Sequence, residues 1–177
     1  MLNRKYLNDY RLTESVNEKG RVIRQTVYVG SYHRMKDGAR ATASAKLLLA
    51  LCVPAWAAFI AALAFQSAAS KIFYVLLPFA FVPLSLGYLT AAIILILRRR
   101  EPLIRSDADK IASRYPISAI FTVILSAVPL IGEGISALTA PETMLPGDAV
   151  FSAGAALICA FAVFALLRRS AFTILPE

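Results

Sequence analysis

Charge is scarce in this chain, and basic charge is nearly missing from one side of it. Of 177 residues, 58% are hydrophobic and 17% are charged, whereas an ordinary soluble domain is about a quarter charged. Histidine occurs once, as His33 in Tyr32-His-Arg34. With no second histidine, cysteine or acidic cluster beside it, a metal site is not expected. Cysteine occurs twice, as Cys52 and Cys159, both inside apolar segments and without a C-x-x-C pair. Redox work is therefore not expected. The two lie at similar depth from one membrane face and could meet, but each reads more simply as a small hydrophobe. There is no H-E-x-x-H, no G-x-S-x-G and no phosphate-binding glycine loop, which argues against an enzyme of those classes and against a cofactor. The first 40 residues lack an early apolar core, so no cleavable signal is expected and the first span serves as the insertion signal.

What the chain does have is four long apolar segments, over about 46–66, 71–97, 116–138 and 149–168. About 20 apolar residues cross a bilayer core of about 30 Å. Threaded in alternate directions, the segments leave every one of the 19 Lys and Arg on one face except Lys71. Short loops rich in Lys and Arg stay in the cytoplasm. The expectation is an all-α membrane protein of a bacterial inner (plasma) membrane, a four-helix transmembrane bundle with both termini cytoplasmic. A small N-terminal β-hairpin and a cytoplasmic loop over 98–115 complete it. Arg98, Arg99 and Arg100 after the second span, and Arg168 and Arg169 after the fourth, read as membrane anchors contacting anionic headgroups. That is a plainer account of the high pI than nucleic-acid binding, which is not expected.

The N-terminal segment, 1–38, reads as structured. Tyr10–Val16 and Arg21–Val29 flank Asn17-Glu-Lys-Gly20, the chemistry of a three-residue hairpin loop with Gly20 in the left-handed position. This places a hairpin over about 8–32. It pairs Val16 with Val22, Glu14 with Arg24, Leu12 with Thr26 and Tyr10 with Tyr28, each a chemically sensible cross-strand pair. A lone two-stranded hairpin is marginal in water, so something must cover it: the loop, the membrane surface, a second copy or another protein. Tyr6, Tyr10, Tyr28 and Tyr32 form a candidate aromatic docking face, or simply cover the hairpin and touch headgroups.

Within the spans, Trp56 is expected to pack between helices with a partner for its N–H. Pro78 and Pro83 are kink sites in the second segment. Ser106-Asp-Ala-Asp109 reads as the start of a short interfacial helix, and Pro116 as the first turn of the third span. Glu133 is the one acidic residue inside an expected span. Such a group is a candidate proton or cation site, and Gly132 and Gly134 permit a broken helix around it. Its depth, about 25 Å from Pro116, favours an interfacial carboxylate that reaches water. Lys71 is its natural partner, and Ser126, Ser136, Ser85 and Thr90 complete a candidate polar path. Small four-span multidrug transporters carry an acidic residue in the first span; this chain has none there, and no function is carried over. Ser152 to Ala156 suits close helix packing.

Two functions remain in play. One is a non-enzymatic accessory or assembly subunit that binds a protein partner, or a second copy, through its cytoplasmic face. The other is a small oligomeric transporter or channel with Glu133 in its path. Besides such a partner, the lipid bilayer is the expected contact.

Overall fold

The computed structural model describes residues 4–16, 22–65, 67–68, 71–99 and 101–176. Four helices dominate: α1 (Gly38–Ala64), α2 (Phe73–Arg98), α3 (Arg105–Thr139) and α4 (Pro146–Leu167). All four are long and apolar enough to cross a membrane. Each packs on two neighbours, in the ring α1–α2–α3–α4. The chain alternates in direction, so the starts of α1 and α3 share an end of the bundle with the finishes of α2 and α4. That end holds Arg40, Arg98, Arg99, Arg105, Arg168 and Arg169, and is called the basic end below.

Helix α1 begins where its sequence supplies a cap. The Asp37 carboxylate accepts from the Arg40 amide at 2.9 Å, which satisfies one of the donors that a helix start leaves bare. Pro54 in α1 and Pro78 and Pro83 in α2 lie inside unbroken helices. Trp56 donates its indole N–H to the Thr90 hydroxyl at 3.2 Å, tying α1 to α2. Thr90 in turn donates to the Leu86 carbonyl at 2.8 Å, so the pair is satisfied without water, as a buried indole requires.

Helix α3 departs from the expectation. The short interfacial helix and the third span are one helix of 35 residues, with Pro116 and Pro129 inside it. A proline removes one donor and crowds the preceding turn. Here Ile111 and Tyr115 before it, and Ser118 and Ala119 after it, are all buried against neighbours. Packing on both sides therefore holds the two parts together. Nor do Gly132 and Gly134 break the helix, which runs on to Thr139.

The core has two parts. Near the basic end, Met35, Leu48, Leu89, Ile93, Ile111, Tyr115 and Phe172 are buried together. Tyr115 donates to the Ala165 carbonyl at 2.6 Å and stands edge-on to Phe172. Toward the other end, Phe79 packs between Phe59 and Phe151, with ring centroids 5.3 and 4.6 Å away.

Five short strands lie at the basic end. β1 (Tyr10–Val16) and β2 (Val22–Tyr28) form an antiparallel hairpin in the expected register, Tyr10 opposite Tyr28 and Val16 opposite Val22. Its turn, Asn17 to Arg21, lies outside the described residues. A three-stranded antiparallel sheet was not foreseen. It has β3 (Tyr32–Met35) at its centre, flanked by β4 (Leu103–Ile104) and β5 (Ile174–Pro176). This sheet joins the N-terminal segment, the α2–α3 connection and the C-terminal tail by backbone hydrogen bonds, closing the basic end over the bundle.

Candidate functional site

The hairpin is fastened at its base. At the base, the Tyr28 ring stands edge-on to Tyr10 and to Tyr32, with centroids 5.2 and 5.1 Å apart. The Tyr28 hydroxyl donates to the Ser31 carbonyl at 2.8 Å and accepts from the Arg105 amide at 3.0 Å. Arg105 is the first residue of α3, so Tyr28 satisfies a donor that the helix start exposes. Tyr6 donates to Asp109 at 3.0 Å, and the Val29 amide donates to the Asp9 carbonyl at 2.8 Å. Three of the four tyrosines thus meet at Tyr28, while Tyr6 reaches α3 separately. Their ring faces serve the anchorage of the hairpin as well as its surface.

Beyond that base the strands project. Leu12 is 75% exposed and Val27 43% exposed. Glu14 and Arg24 pair at 2.9 Å, both exposed, and such a pair contributes under about 1 kcal/mol. Leu12 and Val27 belong to opposite faces of the hairpin.

At the opposite end, the structure buries Glu133. It is 2% exposed, and among the described residues neither carboxylate oxygen has a hydrogen-bond partner. The expected reach to water is therefore replaced by enclosure within the bundle. Gly132 beside it packs against Tyr74 and Val75 of α2, which draws this turn of α3 inward. Lys71 is exposed and does not pair with Glu133. Asp148, a second buried carboxylate, lies at the same end of the bundle. Ser126 donates to Thr122 in its own helix at 2.7 Å, Ser85 to Val82 at 3.0 Å, and Ser136 is only half-buried.

Asp148, just before the expected fourth span, organises this end. Its carboxylate accepts from the Ser67 hydroxyl at 2.5 Å, the Ala68 amide at 2.7 Å and the Leu145 amide at 2.6 Å. One side chain therefore ties the α1–α2 connection to the start of α4. The local signal was present: Pro146-Gly-Asp148 opens an apolar run with proline in the first turn and an acid at the third position.

Of the expected anchors, Arg98 and Arg169 are exposed. Arg168 lies over the Phe164 ring, 5.1 Å from its centroid. Arg99 has a different role, an ion pair with buried Asp107 at 2.6 Å, to which Lys110 adds a contact at 3.3 Å. Arg100 lies outside the described residues. Cys52 and Cys159 are both free thiols, with Cys52 set against Thr90. Among the described residues, no group of three or more His, Cys, Asp or Glu gathers to hold a metal ion.

The chain matches no family model, no curated protein and no solved structure.

Proposed function

We propose that this is a multi-pass protein of a bacterial inner membrane, with the basic end in the cytoplasm, acting as a non-enzymatic accessory or assembly subunit. It would bind a protein partner, or a second copy of itself, through the hairpin. The observation that carries this reading is the hairpin itself: fastened by Tyr28, yet presenting Leu12 and Val27 to solvent on a sheet that has two strands among the described residues. Open strand edges and exposed apolar side chains invite a further chain. The one-sided distribution of Lys and Arg supports the orientation. Extraction in a gentle detergent tests the reading, with the protein expected in a particle larger than one chain of 19.2 kDa with its detergent. Recovery as a lone chain counts against it.

A second reading, transport by an oligomer, is favoured by one observation. A buried carboxylate without a partner is costly and in a membrane helix often marks an ion path; Glu133 is such a group. Glu133→Gln in a reconstituted flux assay decides it. On the transport reading, flux of a cation or proton falls about tenfold or more, as expected when a residue essential to the path is lost. Flux that is absent in the unmodified protein removes the class, and flux unchanged by the substitution removes Glu133 from the path.

A further inference from the structure

The outer surface of the bundle carries a groove between α2 and α3, with a volume of about 500 Å³. Its walls are Phe81, Leu84 and Tyr88 of α2 and Ile117, Phe121 and Leu125 of α3. All of these except Leu125 are exposed. Two buried serines, Ser85 and Ser118, form its floor. Their small size opens the gap between the helices. Each donates its hydroxyl to its own helix, Ser85 to Val82 and Ser118 to Tyr115, both at 3.0 Å. The floor therefore offers no free donor to a polar ligand and behaves as an apolar surface.

One end of the groove is different. Arg114 and Ser113 close it. Arg114 is exposed and has no carboxylate partner among the described residues. Two contacts fix the level at which it sits. Arg99 pairs with Asp107 at the basic end, and Gly132 packs on Val75 at the other. Counting from Asp107, Arg114 lies about 10 Å inward along α3 at about 1.5 Å per residue. Helical side chains lean toward the helix start, which for α3 is the basic end. A long arginine so placed brings its guanidinium back to the membrane surface while its stem lies on apolar wall. From Arg114 to Leu125 the groove runs about 16 Å. That is about half of a hydrocarbon core about 30 Å thick, the depth of one leaflet.

We propose that this groove is a binding site for an anionic glycerophospholipid of the leaflet at the basic end. Its phosphate would lie on Arg114, and one acyl chain would run along Ile117 and Phe121 toward Leu125. The site rests on the membrane placement proposed above and is independent of the hairpin. It differs from the general attraction of a basic face for anionic lipid in having a single cation at the mouth of an apolar channel.

The test counts lipids retained by the full-length protein, using native mass spectrometry after detergent extraction from an equal mixture of phosphatidylglycerol and phosphatidylcholine. This readout does not depend on which way the chain threads. The unmodified protein is expected to keep phosphatidylglycerol about fivefold over phosphatidylcholine in its first bound lipid, the effect of one cation near a headgroup. Arg114→Gln should bring the two within about twofold, whereas Arg114→Lys and Arg169→Gln should leave most of the preference in place. Ile117→Trp, which fills the channel from an exposed position, should lower retention of both lipids. A preference that survives Arg114→Gln overturns the site, and so does one lost equally in Arg169→Gln. Retention unchanged by Ile117→Trp overturns the channel.

Discussion

Asp148→Ala is expected to cost about 3 kcal/mol or more of stability, read as a lower midpoint of unfolding in detergent. Among the described residues, three donors converge on that carboxylate: the Ser67 hydroxyl and the amides of Ala68 and Leu145. Removing a buried acceptor leaves its donors bare, at about 1–3 kcal/mol each where water cannot enter. Ala68 is only partly buried and Leu145 is exposed, which keeps the total below the sum of three full penalties. Asp148→Asn keeps one acceptor oxygen and should lose about half as much. An Asp148→Ala protein as stable as the parent would show that the staple between the α1–α2 connection and α4 contributes nothing.

Gly154→Val is expected to have an effect of similar size for a steric reason. A Cβ at this position would stand 2.9 Å from the Ala58 carbonyl oxygen and 3.2 Å from the Ala62 Cβ. The first of these is backbone, which cannot rotate away as a side-chain tip can. The α1–α4 contact would have to open, and overpacking of this kind costs about 1–3 kcal/mol. In a bilayer, where association depends on close packing of small residues, the loss falls on the fold directly. Gly134 supplies the control: a Cβ there meets nothing within 4 Å. Gly134→Ala should be neutral or gain up to about 1 kcal/mol from helix propensity. The two glycines then move the unfolding midpoint in opposite directions. Equal effects would mean that Gly154 matters only as a flexible residue.

The parts of this fold that the sequence revealed are those with a local cause. The hairpin register followed from one turn and its flanking pairs, because a shift by one residue would place Leu12 opposite Gln25 or Val27 instead of Thr26. The four helices followed from apolar runs of sufficient length. The misreadings arose where distant segments decide. Pro116 is a good helix starter taken alone, yet burial of Ile111, Tyr115, Ser118 and Ala119 on both sides of it carries α3 straight through. The sheet of β3, β4 and β5 joins residues near 33, 103 and 175. Strands of two to four residues are too short to show a period. Glu133 was placed by counting along one helix, which gives depth but not the company of Asp148 from another. The groove beside Arg114 was out of reach for the same reason, since it exists only once α2 and α3 are set in register.

Tyr28 links these levels. Its place opposite Tyr10 was legible, while its bond to the Arg105 amide was not. That bond joins the hairpin to the bundle while Leu12 and Val27 stay exposed, and the proposed docking role depends on it. The mass of the particle extracted from native membranes in gentle detergent tests that role most directly, compared between the unmodified protein and Leu12→Asp. Leu12 is 75% exposed, so the substitution should leave the fold intact to within about 0.5 kcal/mol. A particle larger than one chain is expected for the unmodified protein, and a single chain of 19.2 kDa with its detergent for Leu12→Asp. A mass at a multiple of 19.2 kDa would assign the partner as a second copy. A lone chain in both proteins, or a large particle that Leu12→Asp leaves unchanged, would contradict the docking role.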